Sequence, residues 1–85
     1  MINRDHVLRL ATGWVKANIG VVGPNGKPVQ FEKFSMNRDT YIDPSGMARQ
    51  VWLVYFPEVG ASQEPNGIVV IVDQITGECK RADLE

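Results

Sequence analysis

Cysteine is nearly absent from this chain. Cys79 stands alone among 85 residues, which excludes an intramolecular disulfide and any structural zinc site built on several thiolates. Histidine is as scarce: His6 has no second histidine with which to share a metal ion or a proton relay. Net charge is lacking too. Nine basic residues face ten acidic ones, a formal charge of -1, so no bulk field draws the chain to nucleic acid or to an anionic membrane. No apolar run approaches the ~20 residues needed to span a bilayer. The start, Met1-Ile2-Asn3-Arg4-Asp5-His6, is charged and lacks the apolar centre of a secretory signal, which predicts a soluble, cytoplasmic protein.

What is present is an ordinary globular composition, 44% hydrophobic and 22% charged. Residues 1–85 read as a single domain, with no internal repeat, linker or composition step. A chain of this size buries roughly 60–65% of the surface its unfolded form exposes, so it holds one modest core. Without a covalent staple, it must stand on that core or on an oligomer interface.

The strongest local signal is Gly67-Ile68-Val69-Val70-Ile71-Val72-Asp73-Gln74-Ile75-Thr76-Gly77-Glu78. Five consecutive β-branched residues are stiff at χ1 and fit a pleated surface covered on both sides, so they predict a central strand. Asp73 is placed to start a turn and Gly77 to close it, with Glu78 to Arg81 pairing back as a short edge strand. Upstream, Val7, Leu8, Ala11, Trp14, Val15 and Ile19 recur at helical spacing, with Asn18 on the same stripe. They predict a helix from Arg4 to Ile19, capped by Asn3 or Asp5 and ended by Gly20. Gly13, inside it, is expected to let the helix lie close to a sheet. Val29, Phe31 and Lys33 alternate as a first strand, with a bulge at Phe34 and Met36. A polar stretch from Asn37 to Gln50 reads as a long loop turning at Asp43-Pro44-Ser45-Gly46, with Asp39 to Ile42 adding two or three paired residues. Gln50 to Phe56 is a second interior strand, apolar on both faces and stopped by Pro57. A second polar loop runs from there to Asn66.

This order predicts an α+β domain in which one N-terminal helix packs on a three- to four-stranded antiparallel meander sheet. One helix cannot cover both sheet faces. Trp52, Val54, Phe56 and part of the Val69–Ile71 run cannot all lie under it, so either the sheet curls around the helix or the outer face packs on a partner or a second copy, with Trp52 placed by its strand between core and outer face.

Catalytic chemistry finds little support. His6 sits in the first helical turn without partners. Cys79 neighbours Lys80 and Arg81, which can depress a thiol pKa, yet no histidine adjoins it and a half-buried packing cysteine is the better reading. Asp39, Asp43 and Ser45 have a flavour of a calcium loop but lack its glycine and closing glutamate. Gly20, Gly23 and Gly26 follow the helix, whereas a phosphate-binding loop precedes one. Trp14 belongs to the core stripe. Arg38, Tyr41, Arg49 and Trp52 stand apart: arginine and aromatic residues around a long loop are typical interface anchors. They are the candidate partner-binding residues.

The ending resembles that of PepSY-like domains, whose last hairpin reads roughly Val-Asp-x-x-Thr-Gly-Glu-Val; Val72, Asp73, Thr76, Gly77 and Glu78 match it. Trp52-Leu53-Val54-Tyr55-Phe56 is similar to the strand before that hairpin, so the resemblance covers Gln50 to Lys80. A related group of small bacterial immunity proteins of toxin systems has a similar helix-plus-sheet layout. The resemblance implies a leading helix, a meander and a non-enzymatic inhibitory or binding role, and it transfers no catalytic residue. Together these readings predict a protein-binding module without catalytic residues, cofactor or metal. Its partner is another protein or a second copy of itself, not nucleic acid or a membrane. The alternative is a structural homo-oligomer with no separate ligand.

Overall fold

The computed structural model describes residues 3–60 and 67–82. It has the expected α+β layout: helix α1 (Arg4–Asn18), then strands β1 (Ser35–Ile42), β2 (Ala48–Pro57), β3 (Gly67–Asp73) and β4 (Cys79–Arg81). The strands form one antiparallel sheet in the order β1-β2-β3-β4, a simple meander.

Asn3 caps α1, its side-chain oxygen accepting from the His6 amide at 2.8 Å. At the other end Gly20, at φ +104, supplies the left-handed turn that stops the helix. Val7, Ala11 and Val15 are its buried face, with Leu8, Leu10, Trp14 and Ile19 packed at the margins. Asn18 leaves the stripe; it is exposed, and its amide bonds back to the Trp14 carbonyl. Gly13 is also exposed, and a Cβ there would meet nothing within 4 Å, so close approach to the sheet does not explain it. Gly13→Ala is therefore expected to stabilise the domain by about 0.5–1 kcal/mol, through helix propensity alone, read as a raised urea midpoint.

The helix packs over β3 and touches β2 and β4. Register decides which side chains meet it. Trp52 faces Val72, Val54 faces Val70 and Phe56 faces Ile68 across the β2–β3 ladder, and all six join the helical residues in the core. This decides the face that the sequence leaves open: Trp52, Val54 and Phe56 are the inner set, which makes Trp52 a core residue and not a surface anchor, and Val51, Leu53 and Tyr55 point away from the helix. Alternation fixed two faces, but nothing local to β2 marks which one the helix covers.

The region before β2 also departs from expectation. Phe31–Lys33 is a 3-10 turn and not a strand, and Phe31 and Phe34 pack against the core from it. Val29 and Gln30 pair with the end of β2, where the Gln30 amide donates to the Pro57 carbonyl at 2.7 Å. The supposed loop from Asn37 to Gln50 is almost all strand. Ser35–Ile42 pairs residue for residue with Ala48–Tyr55, leaving a tight turn at Asp43–Met47. Polar composition misled here because β1 is an edge strand exposed along both faces. Of the second polar loop, residues 61–66 lie outside the described residues.

Candidate functional site

In a meander the β1–β2 and β3–β4 turns fall at the same end of the sheet. Both are built on an aspartate. Asp43 Oδ1 accepts from the Ser45 amide (3.0 Å), the Ser45 hydroxyl and the Met47 amide (3.0 Å), and Gly46 closes the turn at φ +88. Asp73 Oδ1 accepts from the Ile75 and Thr76 amides at 2.8 and 3.0 Å, and Gly77 closes at φ +77. Each aspartate keeps its second oxygen for the same cation: Arg49 Nε lies 2.8 Å from Asp43 Oδ2, and Arg49 Nη1 lies 3.4 Å from Asp73 Oδ2. Arg49 is thus a clamp across two turns.

The electrostatics follow. The Ser45 hydroxyl and then the Arg49 guanidinium hold the Asp43 carboxyl well below the usual carboxylate range. The Thr76 and Ile75 amides, with a smaller part from Arg49, lower that of Asp73. A folded-state pKa below the unfolded value adds stability that is whole above the ordinary aspartate value of about 3.9 and is lost as pH falls through the folded value. Arg49→Met is expected to lower stability only slightly at neutral pH, since exposed ion pairs contribute little. It should also flatten the acid-side loss without abolishing it, because the turn amides remain. Urea midpoints at neutral pH and below pH 4 measure both effects.

On the face away from α1, an open groove of about 560 Å³ adjoins this clamp. Val51 and Ile71 line its apolar part, and Tyr41, Arg49, Asp73 and Lys80 its polar part. Val51 is 2% exposed although no helix covers it. Tyr41 on β1 and Lys80 on β4 reach across the sheet, where the Lys80 ammonium donates to the Tyr41 hydroxyl and sits 4.0 Å from the ring centroid.

The structure divides the four candidate anchors between two faces. Tyr41 and Arg49 are cross-strand neighbours on the outer face, at the groove. Arg38 and Trp52 are paired on the helix face, with the Arg38 guanidinium 5.0 Å from the Trp52 ring centroid. Trp52 is a core residue, and Arg38 is its lid. Asp43, Asp73 and Lys80 belong to the site, although the sequence reading used the two aspartates only as turn formers. The available signal was strand parity, which puts both Asp-Gly turns at one end.

His6 is exposed in the first turn of α1 and does not line the groove. Cys79 is half-buried against the core; burial pushes its thiol up, opposite to the lowering that Lys80 and Arg81 would give, and it lies 3.6 Å from the Gly77 carbonyl oxygen. Among the described residues no group of three His, Cys, Asp or Glu side chains is placed to hold a metal ion, and no helix is long and apolar enough to cross a membrane. Compared with protein-family models, with curated proteins and with solved structures, the chain finds no match in any of the three.

Proposed function

We propose that this protein is a non-enzymatic binding module that docks on a partner protein with the turn end of its sheet. One observation carries the reading. Ile42, Met47 and Ile75 are 60, 62 and 76% exposed at that end, on turns where polar residues are the rule. The turns are held rigid by Asp43, Asp73 and Arg49, so the aliphatic tips are presented with little ordering left to lose on binding. Tyr41, beside them in the groove, is the aromatic anchor of the surface. An inhibitory or toxin-immunity role in the cytoplasm is the finer form of this proposal, and it rests on the resemblance of the Val72–Glu78 hairpin to PepSY-like domains and related immunity proteins.

The test is a tagged pull-down from the native organism's lysate, competed with untagged protein. Met47→Lys and Ile75→Lys change well-exposed side chains and are expected to leave the helical circular dichroism native while abolishing competition. Normal competition by both variants would place the contact elsewhere. A second reading, a face-to-face homo-oligomer, is favoured by Leu53 and Val69, which are only partly buried on the outer face. It requires a dimer at micromolar concentration by sedimentation, and a monomer there excludes it.

A further inference from the structure

We infer that Asn25 is a self-modification site: it loses ammonia to become aspartate or isoaspartate when the 23–27 turn opens, and Glu58 then keeps the turn from closing again. This holds whether or not the turn end of the sheet binds a partner. The Gly23 amide donates to the Lys27 carbonyl at 2.7 Å and the Gly26 amide to the Gly23 carbonyl at 3.0 Å, so Pro24 and Asn25 fill the centre of a tight turn. Gly26 follows at φ +78, a conformation that glycine adopts without strain. The turn thus needs glycine at the one position where an unshielded backbone amide makes the preceding asparagine labile. Asn25 and Gly26 are both exposed, so water reaches them. Hydrogen bonds, not burial, guard the pair. The Gly26 nitrogen is held on the Gly23 carbonyl. The Asn25 carboxamide is held by Glu58, with Nδ2 donating to Oε1 at 2.9 Å, a direction fixed because a carboxylate only accepts. The Asn25 and Lys27 amides donate to Oε2 at 3.2 and 3.1 Å. Glu58, 1% exposed, follows directly on β2 and belongs to the sheet, not to the turn.

With the turn open, the Gly26 amide nitrogen gives its proton to solvent base and attacks Asn25 Cγ. The Cγ–Nδ2 bond breaks, and the amine takes up a proton and leaves as ammonia. Water then adds to one of the two carbonyls of the five-membered imide and opens it. The sum is asparagine and water giving ammonia and aspartate, or isoaspartate where the main chain now runs through Cγ. Neither product closes back. Aspartate sets an oxygen where Nδ2 stood, so two carboxylates meet at the distance that held a hydrogen bond, with no proton between them. Isoaspartate adds a methylene to the backbone between Gly23 and Lys27 and takes the two amides off Glu58 Oε2. Opening permits the reaction, and the reaction holds the turn open. The result is a one-way latch on the segment that delivers Val29 to the core.

The test holds the whole chain in mildly alkaline buffer at body temperature and follows the gain of one mass unit at Asn25 by peptide mass spectrometry, with isoaspartate and aspartate separated by chromatography. The same chain unfolded in guanidinium chloride is the reference. Conversion in the folded protein is expected to run roughly tenfold or more slower, since an opened minor state is only about 0.1–10% populated. Glu58→Ala should recover most of that factor. Val54→Ala, a core truncation that leaves the bonds of the turn in place, should leave Asn25 slow and so controls for lost stability. Equal rates in the folded and unfolded chain, an unchanged rate in Glu58→Ala, or the same acceleration in Val54→Ala would each overturn the guard. The latch has its own readout. Asn25→Asp is expected to lower the urea midpoint further than Asn25→Ala, which loses the same hydrogen bond without adding a charge. That difference should vanish in the Glu58→Ala background. Equal midpoints for the two Asn25 variants, or a difference that survives without Glu58, would overturn the latch.

Discussion

Trp52→Ala is expected to lower stability by about 3–5 kcal/mol, a drop in Tm of roughly 15–30 °C for a domain of this size. Trp52 lies among Val54, Val72 and the α1 residues, with Arg38 over its ring, so truncation leaves a cavity that the sheet backbone cannot collapse to fill. At the low end of a total stability of about 5–15 kcal/mol, where small domains lie, such a loss leaves a large share of the molecules unfolded. The consequence for function is direct. Read as an interface anchor, Trp52 would lose partner capture while the fold survived. As a core residue, Trp52 is expected to take helix content with it when truncated, and with that any surface the fold presents. Urea unfolding followed by circular dichroism decides: a Trp52→Ala protein with a native midpoint would return Trp52 to the surface. Arg38→Ala is the graded companion, costing about 0.5–1 kcal/mol through the lost cation–π contact.

The contrast shows which levels of this fold can be read from residues. The helix, its Asn3 cap, its Gly20 stop, the Ile68–Val72 strand and the Asp73–Gly77 turn were legible because each rests on local chemistry: 3.6-residue spacing, a side-chain cap, β-branching, a positive φ. The α+β meander followed from their order. What failed depends on tertiary context. β1 is polar since it lies at an edge, and composition reads a polar strand as a loop. The facing of β2 is a choice of one sheet side, and alternation is symmetric to it. The candidate site was half legible for the same reason. Tyr41 and Arg49 were singled out by residue type, and they do meet. Arg49 does so as a clamp between two carboxylates separated by 30 residues of sequence, Asp43 and Asp73, a pairing that only the turn parity of the sheet brings about.

Glu58 gives the second large effect, and a sharper one because two positions must answer together. It follows Pro57 at the end of β2, is 1% exposed, and receives the Gly23–Lys27 turn: Oε2 accepts from the Asn25 and Lys27 amides at 3.2 and 3.1 Å, and Oε1 from the Asn25 side chain at 2.9 Å. Backbone amides satisfy a buried carboxylate well, and losing it strands them. Glu58→Ala is expected to cost roughly 2–4 kcal/mol and to loosen the 21–30 segment that feeds the chain into β1. Gly23 explains the fit from the other side. A Cβ there would lie 2.6 Å from both Glu58 Cγ and Cδ, so Gly23→Ala alone should cost about 1–3 kcal/mol through overpacking. In the double variant the added methyl enters the space that Glu58 vacates. Its stability should therefore sit near that of Glu58→Ala alone, not at the sum of the two. Urea midpoints on the four proteins of this cycle measure the coupling directly. Additivity within about 0.5 kcal/mol would mean that Gly23 is set by something other than the Glu58 side chain.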